Sequence, residues 1–298
     1  MTLTPLTALS MLLFATCLGG CAAARAPVDF APLAADITIL GEVHDNAGHH
    51  RNQAAGIAAL APKAVVFEML TPEQAAAIRE TDPRDSASLA RQLDWANSGW
   101  PDFALYAPVF AAAPKGGIRG AALPRDTVRR AMTEGAAAPF GPEAGLYGLT
   151  RPLPAATQRA MEAEIADSHC GMLPAAVVPG MVEAQRLRDA AFARATLDAW
   201  RETGGPVVLI TGTGHARADR AVPAYLRAAA PDLRVKTLGQ IEAPRRTPTG
   251  QPDPSAGAPD PSATLKDDEK TETFADAPFD LLIVTPAASR PDPCESFQ

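Results

Sequence analysis

Four side chains with acid–base or metal-binding chemistry stand just behind short apolar runs. Glu42 and His44 lie in Gly41-Glu42-Val43-His44-Asp45, after Ile37-Thr38-Ile39-Leu40. Glu68 follows Ala64-Val65-Val66-Phe67, and His215 closes Thr211-Gly212-Thr213-Gly214-His215, after Val207-Val208-Leu209-Ile210. Two carboxylates and two imidazoles suit a divalent ion such as Zn, Mn, Fe or Co, so Glu42, His44, Glu68 and His215 are the metal-ligand candidates. A bound ion would polarise a carbonyl and activate water for hydrolysis of a peptide or ester. Without metal, His44 is the candidate general base, oriented by Glu42, with His215 stabilising developing charge. The spacing is neither a zinc-finger pattern nor HExxH, and no Ser or Cys sits in a nucleophile elbow. Each residue also has a plain structural reading: Glu68 as a helix cap or arginine partner, a strand-end histidine as a hydrogen-bonded core group.

These residues need a frame that brings distant segments together. The apolar runs named above, with Ile118-Arg119-Gly120-Ala121 and residues 235–241 and 279–284, read as buried strands. Helical patterns fall between them, at about 49–60, 72–79, 86–96, 103–112, 127–133, 155–168, 175–203 and 218–230. Strands alternating with helices imply an α/β fold, a mainly parallel sheet covered by helices. In such sheets ligands bind outside the carboxyl ends of the strands, where all four candidates fall. Residues 135–154 hold four glycines and four prolines, a loop that opens a small helical subdomain over about 135–203.

Composition excludes several function classes. With 298 residues, 47% hydrophobic and 20% charged, the chain is neither disordered nor a multi-span membrane protein. Twenty-seven basic against 34 acidic residues give a net charge of -7, a poor partner for nucleic acid. Residues 1–20 carry no charge, and 6–18 form an apolar run of signal-peptide length. That run ends in Leu18-Gly19-Gly20-Cys21, which resembles a bacterial lipobox; an ordinary signal cut near Ala22–Ala24 is the alternative. The lipobox reading makes 1–20 the signal peptide, Cys21 the lipidation site and membrane anchor, and 21–33 a tether. Ala22, rather than Asp, after the cysteine favours the outer membrane, with the domain in the periplasm. The main domain spans 34–243, and 279–298 return as its last strand and tail. Between them, 244–278 contain seven prolines, four basic and seven acidic residues, a disordered insertion at the tip of a hairpin connection. Cys17 leaves with the signal, so Cys170 and Cys294 remain, either as a disulfide or as two buried thiols; an oxidising compartment favours the bridge.

The segments LGEVHDNAGHHRNQ (40–53), VVFEML (65–70), DSHCGMLP (167–174), MVEAQRLRDAAFA (181–193) and LITGTGHARADRAVPAYL (209–226) together resemble the ChaN-like family of haem-binding uptake lipoproteins, of the Tiki superfamily. WANSGWPDFALYAPVF (95–110) and TPAASRPDPCESF (285–297) fit the same family. Other branches of the superfamily include metal-dependent peptidases and esterase-like hydrolases, and the resemblance makes Gly41, Glu42, His44, Glu68, Gly212 and His215 the ancestral site. It also implies haem as cofactor, a role in haem uptake, and a Cys170–Cys294 disulfide. Haem needs an axial ligand, an apolar wall and cations for its propionates. Tyr106, His49, His50 and His169 are the ligand candidates, the first two preferred. Trp95, Trp100, Phe103, Phe110 and Met172 are wall candidates, and Arg51, Arg125 or Arg217 would meet propionates. A porphyrin slot between two protomers would suit a homodimer, and an outer-membrane haem receptor would be the uptake partner. Two readings therefore stand, a haem-binding lipoprotein and a metal-dependent hydrolase, with a scaffold that does neither as a third.

Overall fold

The computed structural model describes residues 28–243, 277–292 and 294–295. The signal segment, Cys21 and most of the tether and of the Pro-rich stretch lie outside the described residues. The strands are β1 (Ile37–Glu42), β2 (Ala64–Phe67), β3 (Ile118–Gly120), β4 (Val207–Gly212), β5 (Val235–Glu242) and β6 (Leu281–Thr285). The helices that join or flank them are α1 (Ala47–Leu60), α2 (Pro72–Ala77), α3 (Ser86–Gln92), α4 (Phe103–Ala112), α5 (Arg125–Glu134), α6 (Ala137–Phe140), α7 (Ala155–Ser168), α8 (Val178–Thr203), α9 (Thr213–Ala216) and α10 (Val222–Ala229). The strands form one sheet in the order β3-β2-β4-β1-β5-β6, and every pairing is parallel. The α/β expectation is met.

Both faces of the central strands are buried, which is why they read as continuous apolar runs rather than alternating ones. Leu40, Val65, Phe67, Val208 and Ile210 point to one face and pack with Ile57, Tyr106, Val109 and Phe110 of α1 and α4. Ile37, Ile39, Val66, Val207 and Leu209 point to the other, against Leu187, Ala190, Ala193 and Leu197 of α8 and Val222 and Leu226 of α10. The 137–203 stretch is a group of helices, α6 to α8, whose longest member is itself a layer on the sheet. By contrast α7 buries one side chain, Met161. Local chemistry sets the boundaries. Asn46 caps α1 by accepting from the Gly48 and His49 amides, and Thr71 and Gln74 form a reciprocal capping box on α2. Gly204, at φ 72°, ends α8 in a left-handed turn.

One connection differs from the sequence reading. β5 and β6 pair in parallel, Leu238 beside Leu281 through Glu242 beside Thr285, so they are not a hairpin. Parallel neighbours require a long crossover, and the chain between Ala243 and Asp280, including the Pro-rich stretch, supplies its length. No helix among the described residues is long and apolar enough to cross a membrane.

Candidate functional site

The sequence candidates gather at the carboxyl ends of β1, β2 and β4, in two groups. The first is built on Glu42, the last residue of β1 and on the same face as Leu40. Its carboxylate is 2% exposed and accepts hydrogen bonds from Tyr106 Oη at 2.9 Å and His44 Nδ1 at 2.7 Å. His50 Nδ1 lies 3.4 Å from the other carboxylate oxygen, while His50 Nε2 donates to the His44 carbonyl at 2.9 Å. Because His44 donates through Nδ1, its Nε2 carries the open position; the side chain is 35% exposed and its ring meets Trp100 edge-on at 4.9 Å. A carboxylate holding one imidazole nitrogen so that the other points outward is the arrangement that orients metal-ligating and acid–base histidines. Burial pulls the His44 pKa down, but the bond to Glu42 and the charges of Glu68 and Glu42 outweigh it and raise it to about 9. At neutral pH His44 is a cation between two carboxylates, suited to donating a proton rather than accepting one.

The second group is built on Glu68 and His215. Glu68 Oε2 accepts from Thr211 Oγ1 at 2.7 Å and the Gly212 amide at 2.8 Å, and Oε1 faces His215 Nε2 at 3.6 Å. His215 Nδ1 meets Asp189 Oδ1 at 2.6 Å, the Gln185 amide reaches the same ring, and Phe192 packs on it at 4.9 Å. Gln185, Asp189 and Phe192 are spaced i, i+4, i+7, one stripe of α8 aimed at His215. Burial opposes charge on both Glu68 and His215. The charges of His215 and His44 nonetheless lower the Glu68 pKa, and those of Glu68 and Asp189 raise that of His215. The two groups meet across Gly212, where an added Cβ would lie 3.1 Å from His44 Nε2 and 3.9 Å from Glu68 Oε2. A side chain there would displace the His44 ring.

Glu42, His44, Glu68 and His215 are thus brought together as two Glu–His pairs rather than one converging set. Among the described residues no group of three or more His, Cys, Asp or Glu is arranged to hold a metal ion. The donor set in this arrangement does not fit the expected Zn, Mn or Co.

The haem-ligand candidates separate sharply. Tyr106 is fully buried, and its hydroxyl is spent on Glu42. His49 is fully buried: Nδ1 accepts from the Val43 amide at 2.8 Å and Nε2 meets Thr285 Oγ1 at 2.7 Å. Burial lowers its pKa to about 4, so it is a neutral core imidazole. His50 is buried beneath Tyr106, ring against ring at 4.3 Å. None of these three preferred or secondary ligands offers a lone pair to a molecule approaching from outside. His169 does. It caps the end of α7, donates through Nδ1 to the Ile165 carbonyl at 2.8 Å, and has no partner for Nε2 among the described residues.

The wall and cation candidates divide in the same way. Trp95, Phe103 and Phe110 belong to the core, and Trp100 flanks His44. Met172, three residues beyond His169, is 62% exposed, and Val177 is 37% exposed. Arg51 and Arg125 are exposed, with no ion pair among the described residues, whereas Arg217 pairs with Asp219. A cavity of about 220 Å³ under α7 is lined by Ser168, Gln185, Asp189 and Arg220. A larger one of about 360 Å³ lies at the β3 edge, lined by alanines and arginines with no His, Tyr, Cys or Met. Neither is an internal porphyrin slot.

Two features were not assigned from sequence. Asp189 and Gln185 were visible only as polar residues on an otherwise apolar stripe of α8. Arg290 forms paired bonds to Asp45 at 2.5 and 2.6 Å and to Glu242 at 2.7 Å, which fastens the tail after β6 onto the loop carrying His44. Four residues farther on, Cys294 is bonded to Cys170, beside His169.

A family described as haem-binding uptake, Tiki superfamily, ChaN, matches residues 32–226. Among solved structures, "Cofacial heme binding to ChaN of Campylobacter jejuni" is similar at a TM-score of 0.53 and 19% identity, covering 70% of this chain and 82% of that one. The type III effector HopBA1 is more distant, at a TM-score of 0.39 and 13% identity over 69% of this chain and 77% of that one. No curated protein matches the sequence.

Proposed function

The chain belongs to the ChaN family of haem-binding uptake proteins in the Tiki superfamily, and from that premise we propose that it is a haem-binding lipoprotein of haem uptake whose porphyrin docks on the surface at His169. The observation that carries this reading is the α7–α8 turn. It sets a half-buried imidazole, whose Nε2 has no hydrogen-bond partner among the described residues, three residues before Met172, whose 62% exposure is the highest among the exposed large hydrophobic side chains described. An imidazole ligand and an apolar contact are two of the three things haem requires. When bound, haem would supply an iron centre that His169 ligates, while Met172 and Val177 pack on the porphyrin. Exposed Arg51 or Arg125 remain candidate propionate partners. The exposed turn covers one side of a porphyrin, so a second copy of the chain is the natural second wall, as a homodimer. Cys21 is the proposed lipid anchor, holding the domain in the periplasm at the outer membrane, where an outer-membrane haem receptor would be its partner.

Haemin titration into residues 22–298, followed by absorbance, tests the reading. The expected result is a saturable, red-shifted Soret band that His169→Ala abolishes or shifts and that Tyr106→Phe and His49→Ala leave in place. A wild-type spectrum in His169→Ala would refute His169 as the ligand, and no specific band at all would refute haem binding.

The Glu42–His44 pair favours a second reading, a metal-free hydrolase. The half-open His44 ring, charged at neutral pH, would donate a proton to a leaving group or stabilise an oxyanion at its Nε2. Turnover of peptide or ester panels that is lost in Glu42→Ala would support it, and no turnover would sink it.

A further inference from the structure

We infer that the Cys170–Cys294 disulfide regulates the proposed haem surface: oxidised, it holds the His169 turn in its binding shape, and reduced, it lets the turn go. This rests on the haem reading above. Among the described residues, the hydrogen bonds of residues 169–172 are all local. α7, which leads into it, buries one side chain, and the residues from Gly171 to Ala176 are exposed or half-exposed. Its internal bonds are local, from the Cys170 amide to Asp167, Gly171 to Ala166 and Met172 to His169. Cys170 itself sits at φ 58°, a left-handed position that a residue with a side chain occupies at a cost. A turn with such local bonding alone samples other conformations once its tertiary tie is cut.

That tie is the disulfide, whose far end lies four residues beyond an anchored arginine. Cys294 follows a tail that Arg290 clamps to Asp45 and Glu242, with the Ala288 amide donating to Glu242 at 2.8 Å. The Cys294 amide donates to Asp292 at 2.8 Å. The bond therefore ties the His169 turn to the tail that Arg290 fastens beside the ends of β1 and β5. Both cysteines are half-buried, within reach of a thiolate. Reduction is ordinary exchange: a dithiol supplies two electrons and two protons, leaves as its own disulfide, and Cys170 and Cys294 become thiols.

The test uses residues 22–298, where these are the only cysteines, so no other thiol reports. Haemin binding is compared between oxidised protein, protein reduced and then alkylated with iodoacetamide, and Cys170→Ser/Cys294→Ser. Alkylation removes the free thiolates that would otherwise ligate iron. Apparent affinity should fall by about tenfold or more in both cut forms, the factor expected when one-tenth or less of the population holds the competent turn. Proteolysis within 169–177 should accelerate in parallel. Affinity within twofold of the oxidised protein, or unchanged proteolysis, would overturn the inference. If oxidised protein binds no haemin, the haem reading fails, and the proteolysis comparison alone still decides whether the bond holds the turn. Should the cut forms unfold, Arg290→Gln replaces them. It keeps the disulfide but frees its far anchor, so weakened haemin binding is expected, and wild-type affinity would overturn the inference.

Discussion

Replacing Glu42 with glutamine isolates the charge at the centre of the first Glu–His pair. The amide can keep the geometry: its oxygen still accepts from Tyr106 and His44, and its nitrogen can face His50 Nδ1, now 3.4 Å from a carboxylate oxygen. What disappears is the negative charge that, with Glu68, holds the His44 pKa at about 9 against burial. In Glu42→Gln the His44 pKa should therefore fall by at least about one unit, leaving at least about half of the ring population neutral at pH 8. Stability follows with a definite sign. A histidine whose folded pKa is raised contributes stability that is complete below its unfolded value, near 6.5, and is lost as pH rises through about 9. A rise of that size corresponds to about 3 kcal/mol at ~1.4 kcal/mol per pH unit. The side chain is 35% exposed, and solvent screening reduces this to roughly 1–2 kcal/mol. Urea unfolding at pH 6 and pH 9.5 should show that decline in the wild type and a flatter dependence in Glu42→Gln. Histidine Cε1–H NMR titration reads the pKa directly. A His44 resonance titrating near 9 in the variant would refute the assignment of Glu42 as the group that holds it.

Two further substitutions test the packing around the site. His49→Ala should cost about 2–4 kcal/mol in denaturant unfolding, because it leaves a cavity in the core and removes the ring partner of the half-buried Val43 amide and of the Thr285 hydroxyl. Gly120→Ala should cost about 2 kcal/mol or more, since its Cβ would lie 2.3 Å from the Thr71 carbonyl oxygen and 2.5 Å from that of Leu70, where only backbone can yield. A loss below about 0.5 kcal/mol, the usual scatter for surface changes, would contradict either account.

The fold was legible because its signals are local. Buried parallel strands read as β-branched runs, and capping side chains such as Asn46, Thr71 and Asp85 mark where helices begin. The β5–β6 connection was misread because a proline-rich tip between two apolar runs suits a hairpin as well as a crossover. Only the direction of pairing separates the two, and that depends on the rest of the sheet. In the site, Glu42, His44, Glu68 and His215 were found because strand-end position is a local property. Their partners were not, since Asp189 reaches His215 and Arg290 reaches Asp45 only through tertiary packing. Burial was the least legible property of all: Tyr106 and His49 have the right chemistry for a haem ligand, but α4 and α1 turn both rings inward. His169 differs from them only in standing at the open end of a helix that buries almost nothing.

The most direct test is an iron-edge anomalous difference map from crystals of residues 22–298 grown with haemin. The account predicts an iron peak within bonding distance of His169 Nε2, with the porphyrin against Met172. An iron peak over His44, or at any site away from the α7–α8 turn, would contradict it.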